Sequence, residues 1–338
     1  MFVTRSQQAR WRRAGLALLA AAALTAIMAG CGLKAASQFI PPAEAGTVKP
    51  IPALDGVELT VGSKDFTEQL ILGKIAVILL DVAGATVTDN TNIQGSNAAR
   101  KALEGGSIDL YWEYTGTSWI SYNTHTKPIK NQQRQWQVVH DEDIKENGVK
   151  WLPAADLNNT YALAVREEEA KNLDVQKLSD LEGLDTSDLT FCVESEFANR
   201  DDGFPGMLET YGMSLKQGGG KKVIPSGNVR NMETGVVYTA TDKGTCNFGE
   251  VFTTDGRIKG LGLRVLEDDK QFFPNYNVAV TINEETYKQH PQLAQVFEGV
   301  TNELTNDEMA VLTSQVDMEG ADPAIVARDW LKEKGFVT

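Results

Sequence analysis

The order of apolar patterns near the start of the folded region limits the possible folds more than any other feature of this sequence. Five segments alternate between the two-residue period of a strand and the apolar character of a buried helix: Val57 to Val61, Leu70 to Val82, Ala85 to Asp89, Asn97 to Leu103, and a strand opening at Ile108. Strand, helix, strand, helix, strand within about 55 residues is the order of βαβ units. The sequence therefore predicts an α/β protein with mostly parallel sheets and right-handed crossovers.

The stretch from Ile108 to Trp119 adds an unusual density of aromatic and hydroxyl residues to this strand pattern. It holds two tyrosines, two tryptophans and two carboxylates, and it ends in the turn Tyr114-Thr115-Gly116-Thr117 before Ser118. In an open α/β sheet such a strand end lies at the crevice where ligands bind, which predicts rings and hydroxyls at a binding site. The alternative is that these aromatic residues fill a core, as large rings commonly do.

The N-terminus has the three parts of a secretory signal peptide. Four arginines precede an uncharged run from Ala14 to Gly30, and Cys31 follows directly. This resembles the lipobox of bacterial lipoproteins, so we expect residues 1–30 to be removed and Cys31 to carry a lipid that anchors the protein to the cell membrane. The alternative is a transmembrane anchor, for which this run is shorter than the roughly 20 apolar residues that a bilayer needs. Residues 31–54 contain four prolines and no periodic pattern, which predicts an unstructured tether.

The charge of the chain narrows the class of partner. The formal charge is −14, and loss of the four arginines with the signal peptide would make the remaining protein −18. Nucleic acids and anionic lipid surfaces both attract basic proteins, so this charge argues against either as a partner, whereas it attracts small cations. At 338 residues the chain is long enough for two domains.

Two cysteines, Cys192 and Cys246, remain after Cys31. In an exported protein such cysteines most often pair, so we expect a disulfide. The alternative is two buried thiols, because the separation of the two Cα atoms cannot be read from a sequence.

Common catalytic and metal-binding motifs are missing from the sequence. The three histidines, His125, His140 and His290, are far apart, and none has a further His or Cys at metal-binding spacing. There is no nucleophile elbow, Walker A loop or dinucleotide-binding glycine motif. Catalysis is therefore disfavoured and no cofactor or metal is expected, although Asp109 and Glu113 are of a type that acid–base catalysis uses.

Several short strings, in this order and spacing, resemble one protein family. They are Ser63-Lys64-Asp65-Phe66-Thr67-Glu68-Gln69, Glu113-Tyr114-Thr115-Gly116-Thr117, Asn159-Thr160-Tyr161-Ala162-Leu163, Asn199-Arg200-Asp201-Asp202-Gly203, Val237-Tyr238, and Thr254-Asp255-Gly256-Arg257-Ile258 followed by Asp268 to Pro274. Together with the lipobox they resemble the substrate-binding lipoproteins of osmoprotectant ABC importers, which capture glycine betaine, choline or carnitine. The resemblance extends from Val57 to the C-terminus.

The resemblance implies a two-lobed periplasmic-binding-protein fold of type II, in which the chain crosses twice between the lobes. Residues 55–157 and 260–338 would form the first lobe and residues 158–259 the second, with crossings near Asn158 and Lys259. It also implies a quaternary ammonium ligand and an ABC permease as the partner. We further expect a monomer.

In that family tyrosines surround the quaternary ammonium, and basic and hydroxyl groups hold the ligand carboxylate. A trimethylammonium group has no N–H to donate, so ring faces and desolvation must supply the attraction. The matching positions are Tyr114, Tyr161 and Tyr238 for the cation, and Lys64, Thr117 and Arg200 for the carboxylate. For each there is a plainer interpretation: Tyr161 and Tyr238 could belong to the core, Lys64 could be a solvated surface charge, and Arg200 could pair with Asp201 or Asp202.

One position departs from the family pattern, because Leu261 stands where a fourth tyrosine would align. It predicts a weaker cage or a different choice of ligand. The sequence thus predicts an extracytoplasmic solute-binding protein that captures a quaternary ammonium osmoprotectant and delivers it to an ABC permease. Two alternatives stay open: a receptor of the same class for an amino acid or ectoine-like solute, and an enzyme or sensor domain on the same fold.

Overall fold

The structure is a computed structural model that describes residues 39–217 and 219–338. The predicted signal peptide and Cys31 lie outside the described residues, so cleavage and lipidation stay predictions. Within the described ranges, no helix combines the length and the apolar character that a membrane crossing requires.

Two five-stranded sheets organise the molecule. The strands, in chain order, are β1 (Glu58–Lys64), β2 (Thr86–Ile93), β3 (Leu110–Tyr114), β4 (Val149–Trp151), β5 (Tyr161–Arg166), β6 (Phe191–Val193), β7 (Met213–Ser214), β8 (Lys222–Val223), β9 (Val229–Asn231), β10 (Phe248–Phe252), β11 (Leu263–Val265) and β12 (Val278–Asn283). The first sheet has the order β2-β1-β3-β12-β4 and the second the order β11-β5-β10-β6-β9, while β7 and β8 form a separate pair.

In each sheet four strands point the same way and one runs against them. The reversed strand is β12 in the first sheet, where it pairs antiparallel with β3 and β4. In the second sheet it is β5, which pairs antiparallel with β10 and β11. Each reversed strand is the first one after the chain has crossed from the other sheet. The prediction of a two-lobed α/β fold with mostly parallel sheets is confirmed.

Helices cover both sheets, and we call each sheet with its helices a lobe. Those of the first lobe are Thr67–Val82, Ser96–Glu104, Thr115–Thr117, the π-helical turn Ser118–Tyr122, Gln132–Glu146, Glu284–Gln289, Leu293–Glu303, Asn306–Asp317 and Pro323–Glu333. Those of the second lobe are Glu167–Asn172, Ser195–Asn199, Phe204–Thr210, Thr234–Asp242 and Arg257–Gly260. Short 3₁₀ turns lie at Pro52–Leu54, Leu178–Gly183 and Ser226–Asn228.

The helix Thr67–Val82 is the centre of the first lobe. It is apolar almost all round, as the sequence predicts, and nearly all of its residues are buried. The helices Leu293–Glu303, Asn306–Asp317 and Pro323–Glu333 pack on it. The C-terminal residues therefore complete the core around the first helix of the fold, because an apolar helix must be covered on every side.

The prediction of an unstructured tether is wrong from residue 40 onward. Ala45 forms a bridge with Val337, and Glu44 and Thr338 exchange two backbone hydrogen bonds of 2.9 and 3.0 Å. Leu54 is fully buried in the core of the first lobe. Proline favours extended backbone, and here that backbone pairs with the C-terminus instead of staying free in solvent.

The two crossing segments lie side by side, and Asn158 and Asn277 form a bridge between them. The second crossing comes later than predicted, because β11 belongs to the second sheet although residues 260–338 were assigned to the first lobe. Leu263 packs there with Ala162, Ala164 and Tyr238, which gives this strand an apolar reason to stay with the second lobe. The other lobe boundaries remain a proposal.

Cys192 and Cys246 form the predicted disulfide, with their Cα atoms 5.7 Å apart. Cys192 lies on β6 and Cys246 just before β10, the neighbouring strand. Val237 and Ala240 of the helix Thr234–Asp242 pack around the bridge. The disulfide thus links β6 to the start of β10 at the place where that helix packs on the second sheet.

Candidate ligand-binding site

A cavity of about 730 Å³ lies where the two lobes face each other. Both lobes and the crossing segments contribute to its lining. The aromatic lining residues are Phe66, Tyr114, Tyr161, Phe252 and Tyr276, and the charged ones are Lys64, Asp65, Glu194, Glu196, Arg200, Glu233, Arg257 and Asp317.

The direction of the strands explains why the five rings meet. Phe66 follows β1, Tyr114 ends β3 and Phe252 ends β10, so these rings stand at the carboxyl ends of forward strands. Tyr161 begins β5 and Tyr276 lies just before β12, the two reversed strands, whose starting ends face the same edge. The crevice at that edge is the usual ligand site of such sheets.

The rings form a continuous series across the cavity wall. Ring centroids are 6.1 Å apart between Tyr114 and Phe66, 5.0 Å between Phe66 and Phe252, 5.4 Å between Phe252 and Tyr161, and 5.5 Å between Tyr161 and Tyr276. Contact between Phe66 and Phe252 joins the two lobes. A ligand that touches this surface contacts both lobes at once.

Tyr238 is placed differently from the other two tyrosines that the sequence assigned to the cation. It is 1% exposed and does not line the cavity. Its hydroxyl accepts a hydrogen bond of 2.9 Å from the Phe252 backbone N–H, and the Arg257 guanidinium carbon lies 4.1 Å from its ring centroid. Tyr238 therefore supports two cavity residues from behind, because its helix packs against β10.

Leu261 also lies outside the cavity lining. It packs with Ala162, Ala164 and Tyr238 on the same side of the second sheet. The loss of a tyrosine at this position therefore leaves the five-ring wall intact in this structure.

Each of the three predicted tyrosines has a protein cation near its ring. Lys64 Nζ lies 5.0 Å from the Tyr114 centroid and the Arg200 guanidinium carbon 5.7 Å from the Tyr161 centroid, in addition to Arg257 over Tyr238. One face of each ring is thus used within the protein. The remaining aromatic surface comes largely from Phe66, Phe252 and Tyr276, which are not among the predicted ligand-binding residues.

The three residues predicted to hold a carboxylate all line the cavity. Lys64 is buried and pairs with Glu113 at 2.6 Å. Thr117 is also buried, on the short helix after β3. Lysine has three N–H donors, so Lys64 keeps donors for a ligand after this contact.

Arg200 lines the cavity, where it was predicted to hold a carboxylate, and it also forms the ion pair with Asp202 that the plainer interpretation gave it. Its Nε and one terminal nitrogen donate to the two oxygens of Asp202 at 2.7 and 2.5 Å, and the other terminal nitrogen donates to Glu196 at 2.7 Å. Two of its five N–H groups remain after these three contacts. Arg200 is therefore held rigidly and still faces the cavity.

The cavity wall carries more negative than positive charge, with five carboxylates against three cations. Burial raises the pKa of Glu194. Burial has the same tendency at Glu196, but Arg200 and Lys64 outweigh it and lower the pKa of that carboxyl to about 2. A net acidic wall attracts cations. In residues 39–217 and 219–338 no cluster of His, Cys, Asp and Glu is arranged to hold a metal ion.

Polar contacts join the lobes at the cavity margins. The Ser96 N–H donates to Glu196 Oε2 at 3.1 Å, and Arg257 approaches Asp317 of the helix Asn306–Asp317 at 3.4 Å. Deeper between the lobes, the Thr254 hydroxyl donates to Glu68 Oε2 at 2.5 Å.

Two sheets with one reversed strand each, two crossings and an aromatic cavity between the lobes define a solute-binding protein of the type II class. The chain matches the family of the substrate binding domain of ABC-type glycine betaine transport systems over residues 57–333, and it belongs to that family. It is thus a substrate-binding protein of an ABC importer, a class that works outside the cytoplasm and passes its solute to a permease.

Similar proteins agree with this assignment. The glycine-betaine-binding protein of Pseudomonas aeruginosa is 39% identical over 283 residues, which cover 81% of this chain and 87% of that protein. The ergothioneine transport permease/ergothioneine binding protein EgtU of Helicobacter pylori is 32% identical over 288 residues, 85% of this chain and 49% of that protein. A solved structure titled glycine betaine/carnitine/choline ABC transporter has a TM-score of 0.66 at 27% identity and covers 83% of this chain and 99% of that one.

Proposed function

We propose that the five-ring wall binds the quaternary ammonium group of a small osmoprotectant such as glycine betaine or choline. The observation that carries this proposal is the unbroken series of rings from Tyr114 to Tyr276, which draws on both lobes. A fully alkylated nitrogen cannot use hydrogen-bond acceptors well, whereas each ring face attracts a cation by about 0.5 to 2 kcal/mol.

The polar end of the ligand meets Lys64, Thr117 and Arg200 in this proposal. All three line the same cavity as the rings, and both cations retain N–H donors beyond their contacts with protein carboxylates. Arg200 is oriented in advance by Asp202, so less side-chain entropy is lost when a ligand carboxylate binds. Tyr114 and Tyr161 act on the cation directly, and Tyr238 acts by holding Phe252 and Arg257.

Calorimetric titration tests the ligand class. The protein is titrated with glycine betaine, choline, carnitine, ergothioneine and ectoine, and we expect at least one quaternary ammonium to bind more tightly than ectoine. Tyr161→Leu should weaken that binding by about 1 to 2 kcal/mol, since it removes a ring from the wall. Tyr287→Leu is the matched control, because Tyr287 also has a lysine near its ring, at 5.4 Å, but lies away from the cavity.

Three outcomes would count against this proposal. If ectoine or an amino acid binds and no quaternary ammonium does, the protein is a receptor of the same class for an amino acid or ectoine-like solute. Equal losses of affinity in Tyr161→Leu and Tyr287→Leu would show that the ring wall does not contact the ligand. Chemical conversion of a bound solute during long incubation would favour an enzyme.

Membrane attachment through Cys31 and a monomeric state are part of the same proposal. The support is the basic, apolar and small-residue order before Cys31. Incorporation of labelled palmitate into the full chain, and its loss in Cys31→Ser, would test the anchor. Light scattering of the protein that begins at Gly32 would test the monomer.

A further inference from the structure

A buried carboxylate just outside the cavity joins the two lobes. Glu68 lies in the first turn of the helix Thr67–Val82, is 3% exposed and does not line the cavity. It accepts hydrogen bonds from the Tyr114 hydroxyl at 2.6 Å, the Asn159 side-chain amide at 3.0 Å and the Thr254 hydroxyl at 2.5 Å. These donors belong to the first lobe, the first crossing segment and the second lobe. One side chain therefore contacts both lobes and the first crossing segment.

Few charged groups surround Glu68. Asp255 and Arg257 face it from the second lobe, and Asp317 pairs with Arg257 from the helix Asn306–Asp317. Burial raises the pKa of Glu68 to about 6, Asp255 adds to the rise, and the three donors act against it. Glu68 is thus ionised at neutral pH and becomes neutral in mild acid.

We propose, on the basis of the function proposed above, that Glu68 is a positioning residue that sets the affinity for cationic solutes. It fixes Tyr114 and Asn159, which both line the cavity, and it places a negative charge one hydrogen bond behind the wall. A phenol that donates to a carboxylate carries more negative charge on its ring, so the ring attracts a cation more strongly.

This arrangement links affinity to pH with a definite sign. A bound cation favours the ionised form of Glu68 and lowers its pKa, so affinity falls as the pH drops below about 6 and is level above it. The effect of Glu68 ionisation on the free energy of unfolding has the opposite sign. The folded state raises the pKa of Glu68, so its ionisation lowers the free energy of unfolding as the pH rises from about 4.5 to about 6. Affinity and stability therefore change in opposite directions.

Glutamine at this position separates charge from shape. Its carbonyl oxygen can accept from Tyr114 and Asn159, and its amide can donate to the Thr254 hydroxyl, which is both donor and acceptor. Glu68→Gln therefore mimics the protonated acid at every pH. Thr254→Val does the reverse, because it removes the bond to the second lobe and leaves the charge in place.

The test measures the affinities for glycine betaine and choline between about pH 5 and pH 8, where neither solute titrates. We expect the unaltered protein to bind about fivefold more weakly at the lower end, because a fall of one unit in the pKa of Glu68 on binding reaches its limit of about tenfold only at still lower pH. Glu68→Gln should bind at least this weakly throughout, with a thermal unfolding midpoint no lower than that of the parent. Thr254→Val should weaken binding while keeping a pH dependence, which should shift to higher pH because one of the donors that lower the pKa of Glu68 is removed.

Glu250→Gln is the matched control, because Glu250 is also buried but accepts from the Glu194 N–H within the second lobe. Burial raises the pKa of Glu250 to about 8, so it is already neutral below about pH 7 and its substitution should leave the lower part of the profile unchanged. A flat profile in the parent, or parent-like affinity in Glu68→Gln at neutral pH, would overturn the inference. Failure of the parent to bind either solute at any pH would instead refute the proposed function.

Discussion

The two lobes share one strand arrangement but differ in what they bury. The first lobe encloses a buried ion pair that does not line the cavity, Arg100 with Asp143, whose side chains are 3% and 0% exposed. The second lobe encloses a cluster of rings and a disulfide, and its buried cations, Arg200 and Arg257, stand at the cavity wall. The buried cations Arg200 and Arg257 of the second lobe thus stand at the cavity, as Lys64 of the first lobe does, whereas the first lobe also buries an ion pair that does not line it.

Helix length accounts for part of this difference. The first lobe is built around the 16-residue helix Thr67–Val82, which supplies a large apolar core. A core of that size can also accommodate buried polar groups. The helices of the second lobe have at most nine residues, so a covalent crosslink compensates for a smaller contact area. The predictions below test this contrast.

The largest effect is expected from breaking a buried ion pair of the first lobe. Asp143→Ala takes away the bidentate partner of the buried Arg100, which keeps its contact with Glu104, and removes the acceptor of Ser118 and Trp151. We expect a loss of about 3 to 5 kcal/mol in the free energy of unfolding, measured by denaturant titration, with ligand affinity unchanged.

The control for this substitution is Asp141→Ala, an exposed position on the same helix, which should leave the unfolding midpoint in place. The pH dependence adds a second check. Burial alone would raise the pKa of Asp143, but the contacts from Arg100 outweigh it and lower the pKa. Its contribution to stability is therefore present at neutral pH and lost on acidification, and Asp143→Ala should flatten that loss. Equal stability of the two variants would contradict a structural role for the pair.

Removal of the disulfide should act on the second lobe. Replacing Cys192 and Cys246 together with alanine should lower the free energy of unfolding by about 2 to 4 kcal/mol. Hydrogen exchange should then rise first in β6, β9 and β10, while the helix Thr67–Val82 stays protected. A uniform rise in both lobes would show that the crosslink stabilises the whole protein, and the contrast between lobes would fail.

Tyr238→Phe should have a smaller effect, and on stability more than on binding. It removes the acceptor of the Phe252 backbone N–H, which costs about 1 to 2 kcal/mol when the group is buried. Because Tyr238 does not line the cavity, affinity should fall less than in Tyr161→Leu measured in the same titration. A larger loss of affinity in Tyr238→Phe than in Tyr161→Leu would indicate that Tyr238 contacts the ligand directly.

The smallest effect is expected at a half-buried ion pair near the surface of the second lobe. Arg264 and Glu167 are in contact at the surface, where solvent screens the attraction. Arg264→Gln should leave the thermal midpoint within experimental error. A clear loss would mean that the second lobe also depends on ion pairs for its stability.

The local patterns of the sequence predicted most elements with small errors at their ends. The segment predicted at residues 97–103 forms the helix Ser96–Glu104, and the buried helix predicted at residues 70–82 starts only three residues earlier. The helix Ser195–Asn199 was missed because five residues are too few to show a helical period. The segment from residue 40 to 54 was missed because its partners are the last residues of the chain, which no local pattern can indicate.

By itself the sequence determined the α/β class and the disulfide partners, because periodicity, spacing and residue type are local properties. The order of its short strings resembled one family, and that resemblance implied two of the three tyrosines that line the cavity. Only the tertiary structure decided that Phe66, Phe252 and Tyr276 join Tyr114 and Tyr161, that Tyr238 stands behind them, and that Glu68 joins both lobes. The physical reason is that a reversed strand brings its first residue, and a forward strand its last, to the same edge. That meeting depends on how distant segments pair.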